Sequence, residues 1–220
     1  MRFFKIEKII SYLLHPVIFP SISTILYFII LPKYLVKEFE YKILLVVFMS
    51  TYIIPILFLL ILKRRNNITD FHLKTIKERK LPIFFFTTIT LLLAYRLLET
   101  GVVNLLAYSF FGVSLAMLVV FVLFFKSIKT SIHTLAIGGL TGFVLLLSFH
   151  FKIRLLLLIA VLFLVFGIIA YARLKMKAHT SKEVYLGFFI GAFTQILVYY
   201  FVPFLLKLKE FPIYIYVFLL

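Results

Sequence analysis

The sequence predicts an all-α fold, a polytopic transmembrane helix bundle of about seven spans forming a single integral membrane domain over residues 1–220. Three observations carry that prediction. Hydrophobic residues make up 64% of the chain and charged residues only 15%, whereas a soluble domain is roughly 45–50% apolar and about 25% charged. Mean hydropathy is +1.16. The apolar residues also fall into long charge-free runs that alternate with short, strongly basic segments. A bilayer core needs roughly 20 helical residues, and helices or closed barrels are the only elements that satisfy their backbone in lipid. The runs are too long for barrel strands of about 10 residues.

The first run, Ile9–Leu31, follows a basic start and contains Pro16 and Pro20. It is longer than the apolar core of a signal peptide and no small-residue cleavage site follows it, so it reads as a kinked span. Ile43–Leu62 is the second span. Leu81–Tyr95, opened by Pro82, is short and reaches spanning length if Arg96 snorkels to the interface. Thr100–Phe125, Thr130–Phe151, Leu155–Ala172 and Val184–Leu206 supply the remaining four. The segment Lys63–Lys80 is expected to hold a short helix or irregular structure. The apolar tail Phe211–Leu220 is too short to cross and is expected to lie in the interface, where Tyr214 and Tyr216 are well accommodated.

The net charge is +16. On so apolar a chain this charge sits at membrane surfaces, near anionic lipid or phosphate. It is divided among short loops, which argues against a nucleic-acid face. Cysteine is absent, which excludes disulfides, thiolate metal ligands and a cysteine nucleophile.

Seven spans place three polar loops on the side of the N-terminus. The third, Arg173-Leu-Lys-Met-Lys-Ala-His179-Thr-Ser-Lys-Glu183, combines an anion-binding fork with an imidazole and an acid. Glu183 has two readings. It can accept the ring N–H of His179 and leave the other nitrogen free to attack, or it can complete a Thr180-x-x-Glu183 capping box that starts the last helix. The second loop carries Ser131, a good N-cap, and His133 in the following turn, with Gly138, Gly139 and Gly142 available for close helix packing. The first, Asp70-Phe-His72-Leu-Lys74-Thr-Ile-Lys77-Glu-Arg79-Lys80-Leu-Pro82, supplies cations ahead of a proline. His15, Asn104 and Gln195 read as buried hydrogen-bonding groups.

Taken together, the cation cluster before proline, Ser131-x-His133 and Arg173-x5-His179-x3-Glu183 resemble the three motifs of the type 2 phosphatidic acid phosphatase superfamily of integral membrane lipid phosphatases. The resemblance covers residues 70–191. The family's pattern is Lys-x6-Arg-Pro, then Pro-Ser-Gly-His, then Ser-Arg-x5-His-x3-Asp. Here Ala172 replaces the serine, Glu183 the aspartate, Thr130 the proline and Ile132 the glycine, while the first motif does not occur as written. The Asp70-x-His72 segment resembles a divergent bacterial branch.

The resemblance implies a phosphatase acting on a lipid phosphate or pyrophosphate through a phosphohistidine, without cofactor or metal, in a bacterial inner membrane. His179 would be the nucleophile, Glu183 its orienting acid and His133 the general acid. Arg173, Arg79, Lys80, Lys74, Lys77 and the Ser131 region would bind phosphate. A lipid phosphotransferase of the same family and a non-catalytic lipid-handling or transport protein are the alternatives. The N-terminal side holds 16 Lys and Arg against 8 opposite, a cytoplasmic bias that the cations of a phosphate site weaken, so sidedness stays open.

Overall fold

The computed structural model describes residues 3–32, 35–71, 73 and 75–218, with side chains over 6–204 of these. Among the described residues there is no strand, and seven helical segments are long and apolar enough to cross a membrane. The protein is thus an all-α integral membrane bundle. Large apolar side chains are exposed along the spans: Leu156, Leu157 and Leu164 are each more than two-thirds exposed. In water such a belt would be a liability, and in lipid it is the expected solvent-facing layer.

The first span is broken where its prolines lie. Helix α1 (Phe3–Leu13) ends before His15, a single 3-10 turn covers Pro16–Ile18, and α2 (Phe19–Ile30) completes the crossing. The second span joins α3 (Lys37–Phe48) to α4 (Ile54–Arg64) through a π turn, Met49–Ile53. Pro55 has no N–H and crowds the preceding turn, and the widened turn accommodates it, with Ile54 N–H donating to Met49 O.

The third span differs from expectation. Helix α5 runs Ile76–Glu99, and Pro82 lies inside it instead of opening it. The reason is a capping box. Thr75 Oγ1 accepts from Glu78 N–H at 3.3 Å, and the Glu78 carboxylate accepts from Thr75 N–H at 3.2 Å. This starts the helix ahead of the proline and carries Lys77, Arg79 and Lys80 into its first turns. At the far end Arg96 pairs with Glu99 at 3.0 Å.

The remaining spans are α6 (Asn104–Leu123), α7 (Ile132–Phe151), α8 (Leu156–Lys175) and α9 (Ser181–Phe218). Helix α9 is continuous through the tail expected at the interface; side chains beyond Phe204 lie outside those described. Helices α7 and α9 lie almost in backbone contact. A Cβ on Gly138 would overlap the Phe188 carbonyl, and one on Gly191 the Leu135 carbonyl. Small residues allow that approach, and van der Waals packing then holds the pair together in lipid. Deeper in the bundle Gln195 Nε2 donates to Ser109 O at 3.2 Å, and the Ser23 and Thr24 hydroxyls donate back one turn to Phe19 O and Pro20 O. The close α7–α9 pair sets the start of α7 beside the start of α9, where Ser131 N–H reaches Glu183 O.

Candidate active site

Five helix ends meet at one end of the bundle, and each places its polar residue by local chemistry. Glu78 accepts from Thr69 N–H at 2.8 Å and Thr69 Oγ1 at 2.6 Å besides its cap bond, so the segment before α5 is tied to the first turn of that helix. The next residue, Arg79, is 5% exposed and turns inward. Its Nε donates to Leu73 O at 2.7 Å and its Nη1 to Thr130 O at 3.0 Å.

The turn between α6 and α7 contains Ser127 in the left-handed region. It leads to Ser131, fully buried and acting as N-cap: its hydroxyl accepts from Thr134 N–H at 3.4 Å, and its own N–H donates to Glu183 O at 3.2 Å. His133 follows in the first turn, with Nε2 3.2 Å from Ser11 O.

Helix α8 ends on Arg173 and Lys175. Lys177 in the left-handed region reverses the chain, with Ala178 N–H donating to Arg173 O at 3.1 Å. This closes the helix in the usual manner of C-terminal caps and sets His179 above the start of α9. His179 Nδ1 lies 2.6 Å from Glu183 Oε2. The same carboxylate oxygen accepts from Thr180 N–H at 3.3 Å, and Glu183 N–H donates to Thr180 Oγ1 at 3.3 Å. Both contacts expected of Glu183 are therefore made at once: one carboxylate caps α9 and meets the imidazole.

The side chains converge on one cavity of about 160 Å³. Its titratable lining among the described residues is His15, Arg79, His133, Arg173 and His179, and the remainder is mainly apolar, including Phe58, Phe86 and Met117. Arg173, 4% exposed, donates from Nη1 to Ser11 Oγ at 3.4 Å. Its Nε and the Thr130 hydroxyl oxygen are buried with no protein partner. A buried donor without a partner is costly, and a ligand oxygen in the cavity would satisfy Arg173 Nε.

Burial pushes His179 down to about 2, and the cations Arg79, Arg173 and Lys129 reinforce the shift. The imidazole is therefore neutral near pH 7. With a carboxylate at Nδ1, the ring hydrogen lies on that nitrogen and the Nε2 lone pair is left for chemistry. Lys129 is itself held below its ordinary value by burial and by Arg79, and its Nζ donates to Ala178 O at 3.2 Å.

The chain matches no family model, no curated protein and no solved structure.

Of the residues singled out in sequence, His179, His133, Arg173 and Arg79 line the cavity. Glu183 supports His179 from behind, and Ser131 caps the helix that presents His133. Lys77 and Lys80 do not line it. Lys77 is exposed, and Lys80 extends over the Phe125 ring, 5.2 Å from its centroid. These residues share one helical turn and point in different directions: once α5 begins at Ile76, Arg79 alone among the described cations of the cluster faces inward. Lys74 and His72 lie outside the described residues.

Three contributors had not been singled out for this role: His15, Ser11 and Lys129. The break after α1 places His15, and α1 itself brings Ser11. It packs along α8, with Lys175 Nζ 3.7 Å from Glu7 Oε1 and Ser11 Oγ 3.6 Å from Met176 Sδ. The signal available was a polar stripe at Glu7, Ser11 and His15, a spacing of four in an otherwise apolar run, which marks one helix face.

Proposed function

We propose that the protein is a membrane-embedded phosphatase that hydrolyses a lipid phosphate or pyrophosphate through a phosphohistidine. The observation that carries this reading is the 2.6 Å contact between His179 Nδ1 and Glu183 Oε2 in a cavity wall shared with two buried arginines. A neutral imidazole backed by a carboxylate is an activated nucleophile. Two guanidiniums can neutralise equatorial phosphoryl oxygens, and such charge stabilisation is most of what phosphoryl transfer requires.

His179 Nε2 attacks phosphorus while Glu183 stabilises the imidazolium that develops. Arg79 and Arg173 hold the phosphoryl oxygens. The leaving oxygen departs with a proton, a role that the resemblance to type 2 phosphatidic acid phosphatases gives to His133. Water then cleaves the phosphorus–nitrogen bond. Every group used is a side chain of this chain. The apolar remainder of the cavity and the surrounding bilayer suit a substrate whose phosphate is carried on a hydrocarbon tail, and the proposal places the protein in a bacterial inner membrane.

The test is direct. Purified protein in detergent is given a lipid phosphate, and free phosphate and acid-labile phosphoenzyme are measured. Wild type is expected to release phosphate and His179→Asn to do neither. Phosphate release by His179→Asn at the wild-type rate would overturn the reading.

A further inference from the structure

One residue of the first helix touches two groups of the proposed site. Ser11 lies in the last turn of α1 and is 5% exposed. Carbonyls in the last turn of a helix are left for partners outside it, and Ser11 O accepts from His133 Nε2 at 3.2 Å. The Ser11 hydroxyl gives its one hydrogen to Met176 Sδ at 3.6 Å and accepts from Arg173 Nη1 at 3.4 Å. One turn earlier, Glu7 Oε1 lies 3.7 Å from Lys175 Nζ and ties α1 to the same helix end.

Each contact leaves a nitrogen over for a ligand. A carbonyl only accepts, so His133 carries a hydrogen on Nε2. That holds for the neutral ring in this tautomer and for the imidazolium alike. The contact with Ser11 O therefore survives a change of charge, and any proton the ring exchanges is exchanged at Nδ1. Arg173 turns Nη1 to Ser11, while its Nε is buried with no protein partner. Both side chains line the cavity.

We propose that Ser11 is the positioning residue that sets which nitrogen of His133 and which edge of Arg173 meet a bound phosphate. This rests on the phosphatase reading. When the phosphohistidine is hydrolysed, a water oxygen bonds to phosphorus, the electron pair of the phosphorus–nitrogen bond returns to His179 Nε2, and one water proton passes to His133 Nδ1. The imidazolium so formed is still held through its Nε2–H by Ser11 O. As His179 attacks the next substrate, the bond from phosphorus to the leaving oxygen breaks, and His133 Nδ1 gives its proton to that oxygen. Nothing is oxidised or reduced, and the site returns to its starting state.

The experiment has two arms, both on full-length protein in detergent. The first reads the imidazole from nitrogen-15 spectra of histidine-labelled protein at neutral pH, with His133→Gln assigning the signal. A hydrogen on His133 Nε2 is expected in wild type and in Ser11→Ala, which keeps the carbonyl. A ring with its hydrogen on Nδ1 and a bare Nε2 would overturn the assignment. The second arm reads Arg173 from steady-state release of phosphate from dioctanoyl phosphatidate, with thermal unfolding as the stability control. Ser11→Ala is expected to lower kcat/KM about 5- to 30-fold, since it leaves a buried donor unpaired. In an Arg173→Ala background the same change is expected to cost less than about twofold, because its effect runs through that guanidinium. A contact that only holds helices together would weaken both backgrounds alike. Equal factors in the two backgrounds, or no change in Ser11→Ala, would overturn the positioning role. Wild-type protein that releases no phosphate while His133 keeps its hydrogen on Nε2 would overturn the phosphatase reading and leave the imidazole assignment standing.

Discussion

Replacing Glu183 by glutamine separates the two tasks of that residue. The amide oxygen can still accept from Thr180 N–H and from His179 Nδ1, so the cap on α9 survives, and loss of stability is expected below about 1 kcal/mol. The negative charge does not survive. In the native structure it lies 2.6 Å from an imidazole that becomes positive as it attacks phosphorus, and the Glu183 side chain is only 23% exposed. A hydrogen bond to a charged group in such a setting contributes about 1.5–3 kcal/mol, and pre-organised charge at a reacting centre up to about 4. At 1.36 kcal/mol per factor of ten, a loss of about 2–4 kcal/mol slows phosphohistidine formation roughly 30- to 1,000-fold. The assay is rapid-quench measurement of phosphoenzyme on a lipid phosphate that wild type hydrolyses, with thermal unfolding in the same detergent as the stability control. Phosphorylation at the wild-type rate in Glu183→Gln would refute the reasoning and leave Glu183 as a helix cap alone.

Two further expectations follow from the same geometry. Arg79→Ala and Arg173→Ala each remove a buried guanidinium from the cavity wall and are expected to lower phosphate release about 10²- to 10³-fold, whereas Lys77→Ala and Lys80→Ala stay within about twofold, as steady-state release will show. The depressed proton affinity of His179 has a stability consequence: in the unfolded chain the ring titrates near its ordinary value, so as pH falls below about 6.5 the unfolded state takes up a proton that the folded state refuses, and stability drops by up to about 1.4 kcal/mol per pH unit, with none of this loss above that pH. Thermal unfolding at pH 7.5 and pH 5 should show the drop in wild type and a smaller one in His179→Asn; equal drops would contradict it.

The spans were legible because lipid imposes a length and an absence of charge, and both are properties of consecutive residues. The third span was the exception. Counting charge as a boundary cut it at Leu81, although the Thr75-x-x-Glu78 signature that starts α5 stands in the same stretch. Reading Pro82 as the opener hid which cation faces inward, and that is why Lys77 and Lys80 stood beside Arg79 as equals. The His179–Glu183 contact was readable because residues four apart meet on one helical turn. The spacing of Ser11 and His15 was readable as a polar stripe, but their place in the site was not. Their place depends on α1 packing against α8, a contact between segments far apart in sequence, and on a break at Pro16 whose direction the sequence does not encode locally.

Ser11 and Arg173 touch although they stand 162 positions apart in sequence, and that has a consequence for biogenesis. Ribosomal synthesis delivers the first wall of the cavity long before its last, since chains emerge at roughly 5–20 residues per second. Arg79 can meet the Thr130 carbonyl once that residue is made, but the carboxylate-backed imidazole does not exist until α9 begins. A nascent chain halted before His179 and Glu183 therefore carries its first six spans without the carboxylate-backed imidazole, so anything that this pair does waits on synthesis of the seventh.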